Sequence, residues 1–202
     1  INMVDKEIFH TNEKMFIEAV EFQKKGNTLE ASKIYQYLIK IGFINPYIYF
    51  NYGLILFNKG KLVEAKSFFL KTIEIKSNFL NAYFYIINIY LKIQRLSEAE
   101  KFARKTIELN PNLYESHANL GGILKEIGKL KEAEMSTRQA ITLKHDFAPA
   151  HYNLGIILTK LGKLKEAEKS FLKAIEIKPN FYNVHYSLGV IFTNLGKLKE
   201  AE

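Results

Sequence analysis

Apolar residues recur along this chain at the spacing of helices rather than strands. Tyr52, Gly53 and Leu56 lie three and four residues apart, and the triplet returns as Leu120, Gly121 and Leu124, as Leu154, Gly155 and Leu158, and as Leu188, Gly189 and Phe192. That is the stripe an amphipathic helix turns toward a core. Gly128, Gly162 and Gly196 each open the run Gly-Lys-Leu-Lys-Glu-Ala-Glu, 34 residues apart, and Gly26 and Gly60 hold the same place earlier. Glycine there predicts a helix end with positive φ, and a second helix within a few residues. Glu30, Glu64, Glu98, Glu132, Glu166 and Glu200 fall in the first turn of that second helix, where a carboxylate faces the positive end of the helix dipole. Pro46, Pro111 and Pro179, with Asn112 and Asn180 after two of them, are predicted to stop it and turn the chain.

A 34-residue unit of two amphipathic helices cannot bury its apolar face alone, so copies must stack into an all-α solenoid. The spacing predicts an N-terminal lead-in over 1–11, a worn unit over 12–45, units over 46–79, 114–147 and 148–181, a divergent unit over 80–113, and a cut-off unit over 182–202. Small residues recur at the eighth position (Ala19, Gly53, Gly121, Gly155, Gly189) and the twentieth (Ala31, Ala65, Ala99, Ala133, Ala167, Ala201), where they let the paired helices approach. Large ones recur at the seventh (Tyr52, Ile86, Leu120, Leu154, Leu188) and eleventh (Phe22, Leu56, Tyr90, Leu124, Leu158, Phe192). With these positions in register, nearly the whole chain resembles the tetratricopeptide repeat family. The resemblance implies a right-handed superhelical solenoid of stacked antiparallel helix pairs, whose concave surface is lined by the first helix, helix A, of each unit.

Composition then narrows the chemistry. Four prolines leave helices largely unbroken, and 48% hydrophobic with 25% charged residues marks a folded chain. No apolar run reaches the length of a membrane span, and Asp5, Lys6 and Glu7 interrupt the first eleven residues, so neither a membrane segment nor a signal peptide is expected. The absence of cysteine excludes disulfides, thiolate zinc sites and cysteine nucleophiles, and is compatible with the reducing cytoplasm, the predicted location. The net charge of +8 comes almost wholly from Lys, with Arg only at Arg95, Arg104 and Arg138. Phosphate-reading surfaces draw on the planar fork of Arg, so no nucleic-acid partner is expected, and no membrane partner either.

His117, His151 and His185 recur at the fourth position of consecutive units. Equivalent atoms on stacked helices should lie roughly 10 Å apart, about one helix diameter, too far for two ligands of one zinc, so no metal is expected. The resemblance puts a large aromatic at this position, implying rings that pack between repeats. Ser and Thr are scattered without a His and acid at nucleophile spacing, and the glycines form no phosphate loop. No catalytic residue and no cofactor are expected within these residues.

The candidate binding residues lie on helix A. The fifth position reads Phe50, Phe84, Ala118, Tyr152 and Tyr186, the sixth Asn51, Tyr85, Asn119, Asn153 and Ser187, and the ninth Leu54, Asn88, Gly122, Ile156 and Val190. An Asn side chain offers an acceptor and two donors to an extended peptide backbone, while Phe and Tyr supply apolar area at little entropic cost. Phe50, Asn51, Phe84, Tyr85, Asn88, Asn119, Tyr152, Asn153 and Tyr186 are therefore the predicted peptide- or protein-binding residues. Asn119-Leu120-Gly121 and Asn153-Leu154-Gly155 are similar to the Asn ladder of the repeat array in O-linked N-acetylglucosamine transferases, with Tyr85 and Ser187 interrupting it. The competing reading is that these Asn residues cap or bridge neighbouring helices. The carboxylate-clamp pattern of other family members, with Lys at the fifth position and Arg at the sixth, does not occur. Unit 80–113 carries Ile87 and Gln94 where glycines are expected, and Ile87 with Phe50, Phe84 and Tyr85 is a candidate aromatic pocket.

Leu188, Ile191, Phe192 and Leu195 are expected to be half covered by the preceding unit, because the last unit stops within its second helix and has no polar cap. Three roles follow: a scaffold binding an extended peptide or protein along helix A, a substrate-presenting arm of a larger transferase (glycosyl-, sulfo- or methyltransferase), and a module that self-associates through the uncapped end.

Overall fold

The computed structural model describes the backbone of residues 3–194 and 196 and the side chains of 7–193 and 196. Eleven helices are described: α1 (Met3–Lys24), α2 (Thr28–Lys40), α3 (Pro46–Asn58), α4 (Leu62–Ile75), α5 (Leu80–Lys92), α6 (Leu96–Leu109), α7 (Tyr114–Ile127), α8 (Leu130–Leu143), α9 (Ala148–Lys160), α10 (Leu164–Ile177) and α11 (Tyr182–Asn194). No strand occurs among the described residues. The fold is all-α, a helical repeat solenoid. The chain divides into two compact units, residues 1–93 with α1–α5 and residues 94–202 with α6–α11. The predicted lead-in is continuous with the first helix, since α1 begins at Met3.

The turns form where the glycines fall. Gly60 at φ 76° donates its N–H to Phe57 O while Lys61 N–H reaches back to Leu56 O, and Gly128 with Lys129 and Gly162 with Lys163 repeat that pair of bonds. This closure satisfies carbonyls that the helix end leaves unpaired and needs a left-handed residue between them. Gln94 takes the same left-handed conformation, φ 59°, without being glycine. One expectation is corrected: Pro46 does not stop a helix but opens α3 at its first turn, beside an Asn45 side chain that accepts from Tyr47 N–H. Its fixed φ suits that position, and its missing N–H would have been an orphan there.

In the first unit α1 packs on α2, α3 on α4, α2 on α3 and α4 on α5. In the second, α7 packs on α8 and α9 on α10, α7 touches α9, and α9 touches α11. Ala31, Ala65, Ala99, Ala133 and Ala167 are fully buried, as their small size at the twentieth position requires. The eighth position is restricted by space as well: a Cβ at Gly155 would stand 2.5 Å from the Phe171 ring, so only glycine lets that ring in. Leu154, Leu158, Phe171, Leu188 and Ile191 form one buried cluster. Leu188 and Ile191 are thus buried rather than half covered, because they point back into the space between α9 and α10; Leu195 lies outside the described residues.

Two features tie one repeat to the next. The fourth-position side chains reach the carbonyl of the residue six before them: Tyr83 Oη donates to Ser77 O at 3.0 Å, and Nε2–H of His117, His151 and His185 donates to Pro111, His145 and Pro179 O at 2.8, 2.8 and 3.0 Å. The histidines are clamps on the loops that precede their helices. The second feature is a charge ladder along α6, α8 and α10. Glu100 accepts from Arg104 and from Lys129, and Arg104 continues to Glu132 at 2.7 Å. Thirty-four residues on, Glu134 accepts from Arg138 and Lys163, and Arg138 continues to Glu166 at 2.7 Å. Hydrogen bonds from Arg104 and Lys129 hold the Glu100 carboxyl below its ordinary range, and those from Lys163 and Arg138 do the same for Glu134.

Candidate functional site

The fifth, sixth and ninth positions differ sharply between the two units. In the first, Phe50 is 8% exposed and packs its ring against Phe69, Phe79 and Tyr85 at centroid separations of 5.6, 4.8 and 5.8 Å. Tyr85 lies stacked on Phe69 at 5.1 Å with Phe57 edge-on to it at 5.1 Å. These rings make a packed cluster; Phe84, half buried, is outside their ring contacts, and Ile87 is buried. Asn51 Nδ2 donates to Tyr35 Oη at 3.3 Å, and Tyr35 Oη donates onward to Gln23 Oε1 at 2.8 Å. Burial pushes the Tyr35 hydroxyl up to about 12 against the opposing pull of Asn51. Asn88 is exposed on α5.

The second unit presents an open face. Asn119 on α7 and Asn153 on α9 occupy equivalent places on helices in contact, and neither side chain makes a hydrogen bond to the described residues. The contrast with Asn51 has a local cause. The residue that would tie Asn153, as Tyr35 ties Asn51, is Thr137 in the same register, too short to reach and itself buried with no partner for its hydroxyl among the described residues. Ala118 and Gly122 leave the α7 side of the face bare of bulk, and Tyr152 borders it, with its ring 5.0 Å from Phe181.

Between α9 and α11 lies a cavity of about 250 Å³, lined by Ile156, Thr159, Lys160, Tyr186, Ser187 and Val190 and touched by the buried Phe171. Tyr186 is 78% exposed. The Thr159 and Ser187 hydroxyls donate to Gly155 O and Asn183 O, so their protons are committed to their own helices. Lys160 makes no ion pair among the described residues. Of the nine residues singled out in the sequence, then, Asn119, Tyr152, Asn153 and Tyr186 lie in the second unit, and Phe50, Asn51, Phe84, Tyr85 and Asn88 in the first. Thr159, Lys160 and Phe171 line the cavity without having been singled out; the signal was available in the register, since each falls 102 residues after Phe57, Asn58 and Phe69.

No helix among the described residues is long and apolar enough to cross a membrane. Sequence profiles of the tetratricopeptide repeat match residues 46–79 and 114–147, 148–181, and 170–202. Among solved structures, the fold is similar to a MamA protein (25% identical, TM-score 0.71, covering 77% of this chain and 85% of that one). It is also similar to YrrB, described as a TPR protein with an unusual peptide-binding site (23% identical, TM-score 0.66, covering 83% of this chain and 84% of that one). A tetratricopeptide repeat protein from Parabacteroides merdae is 17% identical with a TM-score of 0.82, covering 95% of this chain and 76% of that one. No curated protein matches the sequence. With repeat profiles spanning four segments of a chain built from paired helices in a 34-residue register, the protein belongs to the tetratricopeptide repeat family.

Proposed function

We propose that the protein is an interaction scaffold that holds an extended peptide segment of a partner across α7, α9 and α11. Membership of the tetratricopeptide repeat family supports the scaffold role. The observation that carries the finer reading is the pair of uncommitted amides, Asn119 and Asn153, on neighbouring helices. Each can accept a backbone N–H and donate to a backbone C=O of an extended chain, whose groups alternate in that way. Tyr152 and Tyr186 flank them with rigid apolar area. The first unit supplies the comparison: there the equivalent Asn51 is spent on Tyr35, and the rings are spent on one another.

Phage-displayed random dodecapeptides, selected on the immobilised chain, test this reading. Selected peptides should bind the wild-type chain and lose about tenfold or more in affinity to the Asn119→Ala, Asn153→Ala double variant, two neutral hydrogen-bonding side chains being worth roughly 1 kcal/mol each. Unchanged affinity for the double variant, with unchanged helicity, rejects the amide reading.

A further inference from the structure

The cavity between α9 and α11 has a counterpart in the first unit, and there it is full. Shifting the register by 102 residues carries Phe69 onto Phe171, Phe57 onto Thr159, Phe50 onto Tyr152 and Tyr85 onto Ser187. In the first unit the Tyr85 ring lies stacked on Phe69, with an interplanar angle of 24°, and Phe50 and Phe57 meet it edge-on. In the second unit Ser187 has no ring to offer, and a cavity of about 250 Å³ lies beside it, with Phe171, itself 1% exposed, among its lining residues. The protein thus displays, in its own first unit, what fits this space: an aromatic ring.

We propose that the cavity between α9 and α11 receives an aromatic side chain of the bound partner segment, with an acidic residue next to it in the segment meeting Lys160. This inference rests on the peptide-binding reading above. At about 250 Å³ the cavity is smaller than small-molecule sites, which run to roughly 300–1,000 Å³, and so suits a single side chain. Stacked or edge-on rings gain more than area burial alone, so the exposed Tyr186 ring in the lining favours an aromatic over an aliphatic occupant. The acid follows from the donor inventory. With the Thr159 and Ser187 protons committed to backbone carbonyls, Lys160 is the cation in the cavity lining, and it makes no ion pair among the described residues. A carboxylate beside the ring would complement it, and a basic residue there would be repelled.

The test compares dodecapeptide selections on three chains: wild type, Ser187→Tyr and Lys160→Glu. Wild type should enrich peptides carrying an aromatic residue beside an acidic one. Ser187→Tyr should fill the cavity as Tyr85 does, keep or raise the melting temperature, and lose the aromatic enrichment. Lys160→Glu should keep the aromatic and exchange its acidic neighbour for a basic one. Replacing the aromatic of a selected peptide by Ser should weaken wild-type binding about tenfold or more, measured by fluorescence anisotropy. Enriched peptides without an aromatic preference, or with one that survives Ser187→Tyr in a folded protein, overturn the cavity assignment while leaving the amide reading to its own test. No enrichment on any chain overturns both.

Discussion

At the scale of single residues, backbone conformation decides more than side-chain identity. Gln94 occupies a left-handed position that glycine fills at Gly60, Gly128 and Gly162. An L-residue with a Cβ is strained there, by roughly 1–2 kcal/mol where its side chain makes no compensating local bond. Glycine also costs backbone entropy on folding, of about 0.5–1 kcal/mol, so Gln94→Gly should raise stability by a net ~0.5 kcal/mol in urea unfolding. A loss of stability would mean that the Gln94 side chain compensates its own strain. Gly155 presents the opposite case, because its constraint is space. A methyl at 2.5 Å from the Phe171 ring forces that ring or the helix to shift, so Gly155→Ala should destabilise by about 1–3 kcal/mol. It should also distort the lining of the cavity, so aromatic peptides should weaken in anisotropy titrations even at temperatures where the variant is fully folded.

At the scale of elements, the hairpins hold together through features that the apolar pattern does not announce. The stripe at the seventh, eighth and eleventh positions, the buried alanines and the glycine turns were all legible, because burial and positive φ restrict residue type strongly. The charge ladder was not singled out, although Glu100 and Glu134, Arg104 and Arg138, and Lys129 and Lys163 each repeat at 34 residues. Charged residues are tolerated on any exposed face, so their recurrence alone does not say which pairs will meet. The side chains of Glu100 and Glu134 are only 13% exposed, and both carboxyls are held below their ordinary range by the cations around them. A carboxyl lowered in the folded state stabilises it above the unfolded value and loses that contribution as pH falls through the folded one. Glu134→Gln should therefore lower the melting temperature at pH 7, by an amount corresponding to up to about 1 kcal/mol for a partly exposed cluster. The difference from wild type should shrink below pH 4.5, the ordinary carboxylate value, and vanish in stronger acid. A difference that persists at pH 2 would assign the effect to packing. The fourth-position clamps were legible only in part: their place between repeats follows from the register, but their hydrogen bonds to loop carbonyls depend on backbone that only the structure locates. His151→Phe keeps the ring and removes the bond to His145 O, and should cost about 1 kcal/mol in thermal unfolding.

At the scale of the whole molecule, repetition makes the fold legible and conceals the site. One 34-residue pattern read several times fixes the architecture, yet Asn51 and Asn153 look alike in that pattern and differ in the structure, one tied to Tyr35 and the other making no side-chain hydrogen bond among the described residues. The difference is set at a distance in sequence, by Tyr35 in one register and Thr137 in the other, and the open cavity likewise follows from Ser187 standing where the pattern earlier has Tyr85. What distinguishes the proposed binding surface from the core is therefore a departure from the repeat, paired across helices. The net charge of +8 is the other whole-molecule property, and it separates two kinds of recognition. A partner held by neutral amides, rings and one Lys160 contact loses little affinity as salt rises, since a single exposed pair is worth at most about 1 kcal/mol. A polyanion held by the many exposed Lys side chains releases counterions, and its affinity falls by several decades across roughly the same fourfold rise in salt. Raising NaCl from 50 to 200 mM should weaken a selected peptide by less than about fivefold, because only the Lys160 pair is screened. A steep fall would move the recognition surface from the α7, α9 and α11 face to the exposed Lys side chains, and with it the sequence expectation that no nucleic acid is bound would fail.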